Sequence, residues 1–191
     1  MGTFIVLYGI NNIGKTTQAR RLAAYLRKQG HHVAYFKSPD YGLASGRQIN
    51  AVLRSHEQRI PEPEFQQLYA KNRLEQQPAV LAALRKGDVV MEDYVGTSFA
   101  WGSAKGMPMA SLKRMNQGLL REDAALLLDG KRFLSGREKT HIHEINDALL
   151  RSVRKKHLEL AKAYRWQIIN ANQPRDKVFQ DIIRAVGRHG R

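Results

Sequence analysis

Residues 3–17, TFIVLYGINNIGKTT, constrain this chain more than any other stretch. An apolar run ends at Gly9, four residues intervene, and Gly14, Lys15 and Thr16 follow just ahead of a helical pattern. The spacing is G-x-x-x-x-G-K-[ST] in the context it requires, a strand before and a helix after. Glycines let successive backbone N–H groups curl around phosphate oxygens, and the helix N-terminus adds its partial positive charge. The stretch therefore assigns Gly9, Asn12, Ile13, Gly14, Lys15, Thr16 and Thr17 to a nucleoside triphosphate. Lys15 is expected at the β and γ phosphates, and the Thr16 hydroxyl in the shell of a magnesium ion.

A loop of this kind hangs from a buried strand, and four more runs can join the first. The five candidate strands are residues 3–9, 32–38, 88–93, 124–129 and 166–171. They are continuous rather than alternating, as expected of a parallel sheet covered on both faces. Helical patterns lie between them. Ala19, Leu22, Ala23 and Leu26 recur at helical spacing, with Gly30 as a stop. Phe65, Leu68 and Tyr69 begin a second stripe. Ile145, Leu149, Val153, Leu160 and Tyr164 mark a long helix. Val178, Ile182 and Val186 mark the last, with Pro174 near its first turn. Strand and helix alternate, so the class is α/β with a mostly parallel sheet. Ligands of such sheets sit beyond the carboxyl ends of the strands. Glu92 and Asp93 stand at one of those ends, and LLLDG offers Asp129 as a second candidate for a metal carboxylate.

The remaining composition sets bounds. A length of 191 residues, with no linker and no internal repeat, suits one domain spanning 1–191. The apolar N-terminus is short, lacks a basic lead-in and reads as the first strand rather than a targeting signal. No run approaches the roughly 18 apolar residues of a membrane span. There is no cysteine, which removes disulfides, thiolate chemistry and cysteine-bound zinc. A cytoplasmic protein is expected. The formal charge is +15, from 32 Lys and Arg against 17 Asp and Glu, which favours anionic partners. The cations are spread along the chain with little of the aromatic interleaving a single-strand binding face needs; charge alone does not decide among these partners, and a small nucleotide, rather than nucleic acid or membrane, is expected once the phosphate loop is added.

Further pieces follow the phosphate loop in order: TTQ, KSPDYG, YAKNRLE, EDYVGTSFAW, EDAALLLD, VRKKHLELAKAY and INANQ. Together they resemble the thymidylate kinases, a family of nucleoside-monophosphate kinases, over nearly the whole chain. The resemblance implies a P-loop NTPase-type three-layer sandwich with a five-stranded parallel sheet and a lid over roughly 131–143. It implies ATP and Mg2+, transfer of the γ-phosphoryl to a deoxynucleoside monophosphate, most simply dTMP to dTDP, and a homodimer. Tyr69 would stack on the base while Arg73, four residues on and on the same helical face, hydrogen-bonds its carbonyl. Pro39 would line the space around the base, and Lys37 and Tyr41 would approach the acceptor phosphate. Ser98 would contact the base and Trp101 would crowd the sugar, leaving no room for a ribose 2′-hydroxyl. Asn172 and Gln173 would lie near adenine. Arg137 of the lid would stabilise the transferring phosphoryl group, with Arg132 and Lys139 as alternatives. His141 and His143 have no third partner at metal-ligand spacing and read as lid surface.

Two positions depart from the family pattern. Where the family reads Asp-Arg-Tyr, this chain reads Glu92-Asp93-Tyr94. Glu92 keeps a charge suited to the magnesium shell and joins Lys15 and Arg137 as a catalytic expectation. Asp93 replaces the arginine that clamps the acceptor phosphate. Either Asp93 turns away while Lys37, Arg47 or Lys105 supplies the charge, or the acceptor is not a monophosphate. Asn11 stands where the family has an acidic residue at the sugar 3′-hydroxyl, a bond that asparagine can also accept. A monophosphate ionises with a pKa of about 6 and needs no general base, whereas a nucleoside 5′-hydroxyl does. The carboxylate pair thus leaves a deoxynucleoside kinase open, and the two departures leave open a non-catalytic nucleotide-binding module.

Overall fold

The computed structural model describes residues 1–55, 60–133 and 147–187. Along the chain run β1 (Phe4–Tyr8), α1 (Lys15–Lys28), β2 (Val33–Lys37), α2 (Ala44–Arg54), α3 (Glu62–Leu84) and β3 (Asp88–Glu92). Then come α4 (Val95–Ala104), α5 (Met109–Met115), β4 (Ala124–Asp129), α6 (Asp147–Tyr164), β5 (Gln167–Asn170) and α7 (Arg175–Gly187). The strands pair in parallel in the order β2-β3-β1-β4-β5. All five expected strands are present: β4 has its expected bounds, and each of the others is shorter by one or two residues. No described helix is long and apolar enough to cross a membrane.

The continuous apolar runs follow from the position of β1 at the centre of the sheet. Successive strand side chains point to opposite faces. Ile5 and Leu7 pack with Leu22 of α1, Val153 of α6 and Ile182 of α7. Phe4, Val6 and Tyr8 enter a second cluster with Val80 and Leu84 of α3. Both faces are covered, giving three layers, and every β1 residue is buried. At the edge, β2 is only partly buried and β5 carries exposed positions, as outer strands must. A third, smaller cluster joins Ile49 and Leu53 of α2 to Phe65 of α3.

Helix α3 also fixes the loop after β2. The Asn72 side chain accepts from Asp40 N at 2.8 Å and donates to Asp40 O at 3.0 Å and to Ser45 Oγ at 3.0 Å. Gln76 Nε2 donates to Lys37 O at 3.0 Å. Backbone polar groups that no strand can pair are thus satisfied by two amides of one helix. Pro39 and Tyr41 are held against the same helix face that carries Tyr69 and Arg73.

One buried polar group lies deep in the packing behind the phosphate loop. His157 of α6 is 1% exposed, its Nδ1 lies 3.1 Å from Val153 O, and its Nε2 has no partner among the described residues. Burial pushes the His157 imidazolium down to about 3, with repulsion from Lys15 adding to the effect and Asp129 opposing it. The unfolded chain takes up this proton near 6.5, and the folded chain does not until about 3. Between those values the unfolded state binds more protons, so stability falls as the pH drops. Urea unfolding at pH 7 and at pH 4.5 should show wild type losing up to about 1.4 kcal/mol per pH unit through this group. His157→Gln should remove that part of the pH dependence.

Candidate active site

At the carboxyl end of the sheet, β1, β3 and β2 release their chains side by side. The parallel register places Leu7 beside Glu92 and Glu92 beside Lys37. Strand pairing alone therefore assembles the phosphate loop, the carboxylate pair and a cation. The loop leaves β1 at Gly9 with φ 147°, where a Cβ would lie 2.6 Å from the Leu128 carbonyl oxygen. Only glycine permits that approach to β4. Gly14, at φ 92°, is the residue from which α1 starts. The first turn of α1 holds no acidic side chain, so nothing on the helix offsets its N-terminal partial charge.

Lys15 is buried against the loop it belongs to. Its ammonium donates to Gly9 O at 2.9 Å and to Ile10 O at 3.0 Å, and lies 3.4 Å from Asp93 Oδ2. Asp93 sits at φ 59°, a left-handed conformation that Asp tolerates better than most side chains. Its Oδ1 accepts the Thr97 hydroxyl at 2.7 Å. Asp93 does not turn away from the site: it lines the cavity with its carboxylate facing Lys15.

Glu92 has its own set of partners. Oε1 accepts the Thr16 hydroxyl at 2.9 Å and lies 3.3 Å from Lys37 Nζ, while Oε2 accepts the Tyr35 hydroxyl at 3.0 Å. Burial alone would raise the Glu92 pKa, but Lys15, Lys37 and the two hydroxyls hold it below the usual carboxylate range. Asp93 moves the other way. Burial raises it, Lys15 pulls it back and Glu92 pushes it up, leaving it above its ordinary value. Tyr35 is raised to about 12 by burial and by Glu92, so its phenol keeps its proton and remains a donor.

From these groups a cavity of about 440 Å³ runs toward α3 and α4. Asn11, Asn12, Gly14, Lys15, Thr16 and Thr17 line one part. Lys37, Pro39 and Tyr41 line a second, and Tyr69, Arg73, Ser98 and Trp101 a third. Of the other expected residues, Gly9 shapes the loop and Ile13 packs into the core at 2% exposure. Arg73 donates from Nη1 to Asn116 Oδ1 at 3.0 Å, and its guanidinium centre lies 6.0 Å from the Tyr69 ring. The buried Arg73 Nε and Ser38 Oγ have no partner among the described residues. Both residues line the cavity.

Other expectations are not brought to the cavity. The Asn172 amide accepts from Lys131 N at 2.5 Å and donates to Lys131 O at 2.8 Å, fixing the chain after β4 rather than facing the cavity. Gln173 donates to Asp181 at 2.6 Å. Asp129 pairs with Arg154 through two bonds of 2.7 and 2.8 Å and does not line the cavity. Arg132 pairs with Asp147. Neither Arg47, which donates to Gly42 O at 2.6 Å, nor Lys105, which pairs with Glu62 at 2.7 Å, lines the cavity. Arg137, Lys139, His141 and His143 lie outside the described residues, as does most of the expected lid.

Residues that sequence reasoning missed complete the wall. Asn50, Leu53 and Arg54 come from α2, Gln66 from α3, Thr97 from α4 and Phe133 from the segment after β4. Phe133 N donates to Asn12 O at 2.8 Å, tying that segment to the phosphate loop. Asn50 and Arg54 are four apart and share a 3.0 Å bond. That helical spacing was the available signal. With Arg54 included, the described lining carries four cations, Lys15, Lys37, Arg54 and Arg73, against Glu92 and Asp93.

A model of the thymidylate kinase family matches residues 7–182. The chain is 30% identical to the thymidylate kinase of Nitrosospira multiformis over 97% of both chains. It is 32% identical to a probable thymidylate kinase of Pyrococcus abyssi over 97% of this chain and 96% of that one. Its fold superposes on the thymidylate kinase of Candida albicans with a TM-score of 0.82 at 20% identity, covering 99% of this chain and 92% of that one. A phosphate loop that opens into an aromatic and arginine-lined cavity, in a chain matched nearly end to end, has one reading: this protein belongs to the thymidylate kinase family.

Proposed function

We infer that this chain is a dTMP kinase, moving the γ-phosphoryl group of ATP to the phosphate of dTMP to give dTDP. The observation that carries the reading is the continuity of one cavity from Lys15 and Thr16 to Tyr69, Arg73, Ser98 and Trp101. A triphosphate laid on the loop and a base between Tyr69 and Trp101 would bring their phosphates together over Glu92 and Asp93. Lys15 and the α1 N-terminus neutralise the donor phosphates. Tyr69 offers a planar support for a planar base, and the Arg73 guanidinium donates to a base carbonyl. Trp101 occupies the space a ribose 2′-hydroxyl would need. Pro39 and Tyr41 close the side of the acceptor, and Asn11 accepts the sugar 3′-hydroxyl.

The donor set suits Mg2+. The Thr16 hydroxyl and Glu92 carboxylate lie 2.9 Å apart, hard oxygen ligands of the kind this ion takes alongside substrate phosphates. Among the described residues no cluster of three or more His, Cys, Asp or Glu could hold a metal unaided. Thr16, and Glu92 through water, would hold the ion, which supplies charge neutralisation across the phosphate oxygens. The acceptor phosphate is ionised at neutral pH, so Asp93 need not take a proton. Lys37 and Arg54 supply the positive charge that the family places at position 93. A lid arginine such as Arg137 would complete the site, and a cytoplasmic homodimer is the expected assembly on family resemblance.

The first test is ATP consumption with magnesium against dTMP, dUMP, dGMP, thymidine and no acceptor. Turnover with dTMP is expected; turnover with thymidine alone would instead make Asp93 a base for a 5′-hydroxyl. Lys15→Met should lower kcat by roughly 10²- to 10³-fold, the usual effect of removing a preorganised charge donor.

Asp93→Asn keeps an acceptor for Thr97 and removes one negative charge beside the acceptor phosphate. Steady-state kinetics should show the dTMP KM falling about tenfold, equivalent to about 1.4 kcal/mol, with kcat retained. A loss of kcat with dTMP would place Asp93 in the chemistry rather than against the acceptor's charge.

A further inference from the structure

Four side chains form a line that starts in the wall of the cavity, at Ser98 and Gln66, and leads away from it. Ser98, 2% exposed and lining the cavity, donates from Oγ to Gln66 Oε1 at 2.5 Å. Gln66, 4% exposed, donates from Nε2 to Glu62 Oε1 at 2.7 Å. Glu62 Oε2 accepts from Lys105 Nζ at 2.7 Å. The far end of the line fixes every direction in it. An ammonium can only donate, and an ionised carboxylate can only accept. The end of the Gln66 amide that faces Glu62 is therefore its NH2 group, which leaves the carbonyl oxygen toward Ser98. A carbonyl only accepts, so the Ser98 hydroxyl proton is committed to Gln66. What Ser98 then turns to a ligand is a lone pair.

We propose that the Lys105–Glu62–Gln66–Ser98 relay sets the base specificity of the acceptor site by making Ser98 an obligate acceptor. The proposal rests on the dTMP kinase reading above, in which Ser98 faces the base. A 4-oxo pyrimidine carries a proton on N3 and can donate it to Ser98. Cytosine presents a bare N3, which would meet the serine oxygen lone pair against lone pair. Arg73 applies the same rule at the neighbouring position. A guanidinium only donates, so it suits the O4 carbonyl and opposes the 4-amino group of cytosine. Burial gives these contacts their weight, because water cannot easily relieve a mismatched pair. Glu62 and Lys105 are positioning residues in this scheme, acting through Gln66 and Ser98, which both line the cavity.

Glu62→Gln is the informative variant, since residue 62 does not line the cavity and the change preserves shape. A neutral amide at position 62 can donate or accept, so the direction of the relay is no longer imposed. Steady-state kinetics with dTMP and dCMP should show the dTMP-to-dCMP ratio of kcat/KM falling roughly 10-fold or more. The change should lie mainly in KM, with kcat for dTMP held within about 2-fold. Ser98→Ala should lower the same ratio, and the double variant should lower it little further, as expected of two residues acting through one contact. A merely structural role for Glu62 would reduce turnover of both substrates together, and an unchanged ratio in either single variant overturns the proposal. Equilibrium binding of dTMP and dCMP to each variant, with the thermal midpoint recorded, separates lost specificity from lost folding. Wild type that turns over no pyrimidine monophosphate would overturn the kinase reading and the relay with it. Normal dTMP turnover with an unmoved ratio overturns the relay alone.

Discussion

Everything at the site depends on β3 being paired between β1 and β2 in one register. Leu7 stands beside Glu92, and Glu92 beside Lys37. A slip of one residue would send the Glu92 side chain to the opposite face of the sheet. Two features hold the register. Val90 packs in one core while Val89 and Met91 pack in the other, so a slip would exchange both sets. At the far end of the sheet, Asp88 accepts Thr3 N and Asp123 accepts Phe4 N, each at 2.8 Å. Those side-chain hooks fix where β3 and β4 begin relative to β1. Where strands begin decides where they end, and the chemistry lies at the ends.

How much of this was legible in the sequence differs by element. The strands were readable because burial on both faces removes polar positions, leaving runs such as FIVLY and AALLLD. Helices α1, α6 and α7 were readable from their apolar spacing. Helix α2, ASGRQINAVLR, was missed: it has no side-chain cap, no acidic first turn, and a glycine two residues from its start. Gly46 is there because a Cβ would lie 1.8 Å from Asp40 O, a tertiary demand that looks like a helix breaker in isolation. Losing α2 also lost Asn50, Leu53 and Arg54 from the site. The seven-residue α5 is too short to show a period. Gln66 carried no signal at all, because its significance lies in Glu62 on one side and Ser98 on the other. Asp129 shows what spacing does not reveal: a carboxylate at the expected strand end that pairs with Arg154 and does not line the cavity.

Adjacent carboxylates in a buried position need separate means of support, and the chain provides them. Glu92 receives two hydroxyls and Lys37, while Asp93 receives one hydroxyl and Lys15. Their proton affinities are driven in opposite directions, the division expected when one carboxyl is better supported than its neighbour. Glu92 stays ionised and suits a cation. Asp93 is the partner whose charge is harder to keep.

That asymmetry bears on why a strongly basic protein sets paired negative charge at its phosphate site. The Lys15 ammonium has three protons; two serve Gly9 O and Ile10 O, and Asp93 lies on the remaining side. Phosphate oxygens compete for the same protons, so a bound triphosphate draws Lys15 away from Asp93. A buried carboxylate deprived of its counter-charge is strongly disfavoured, so phosphate binding at Lys15 takes from Asp93 part of its support. The carboxylate that stands where the family keeps an arginine thus opposes the acceptor phosphate, and Lys37 and Arg54, which line the same cavity, are left to balance it.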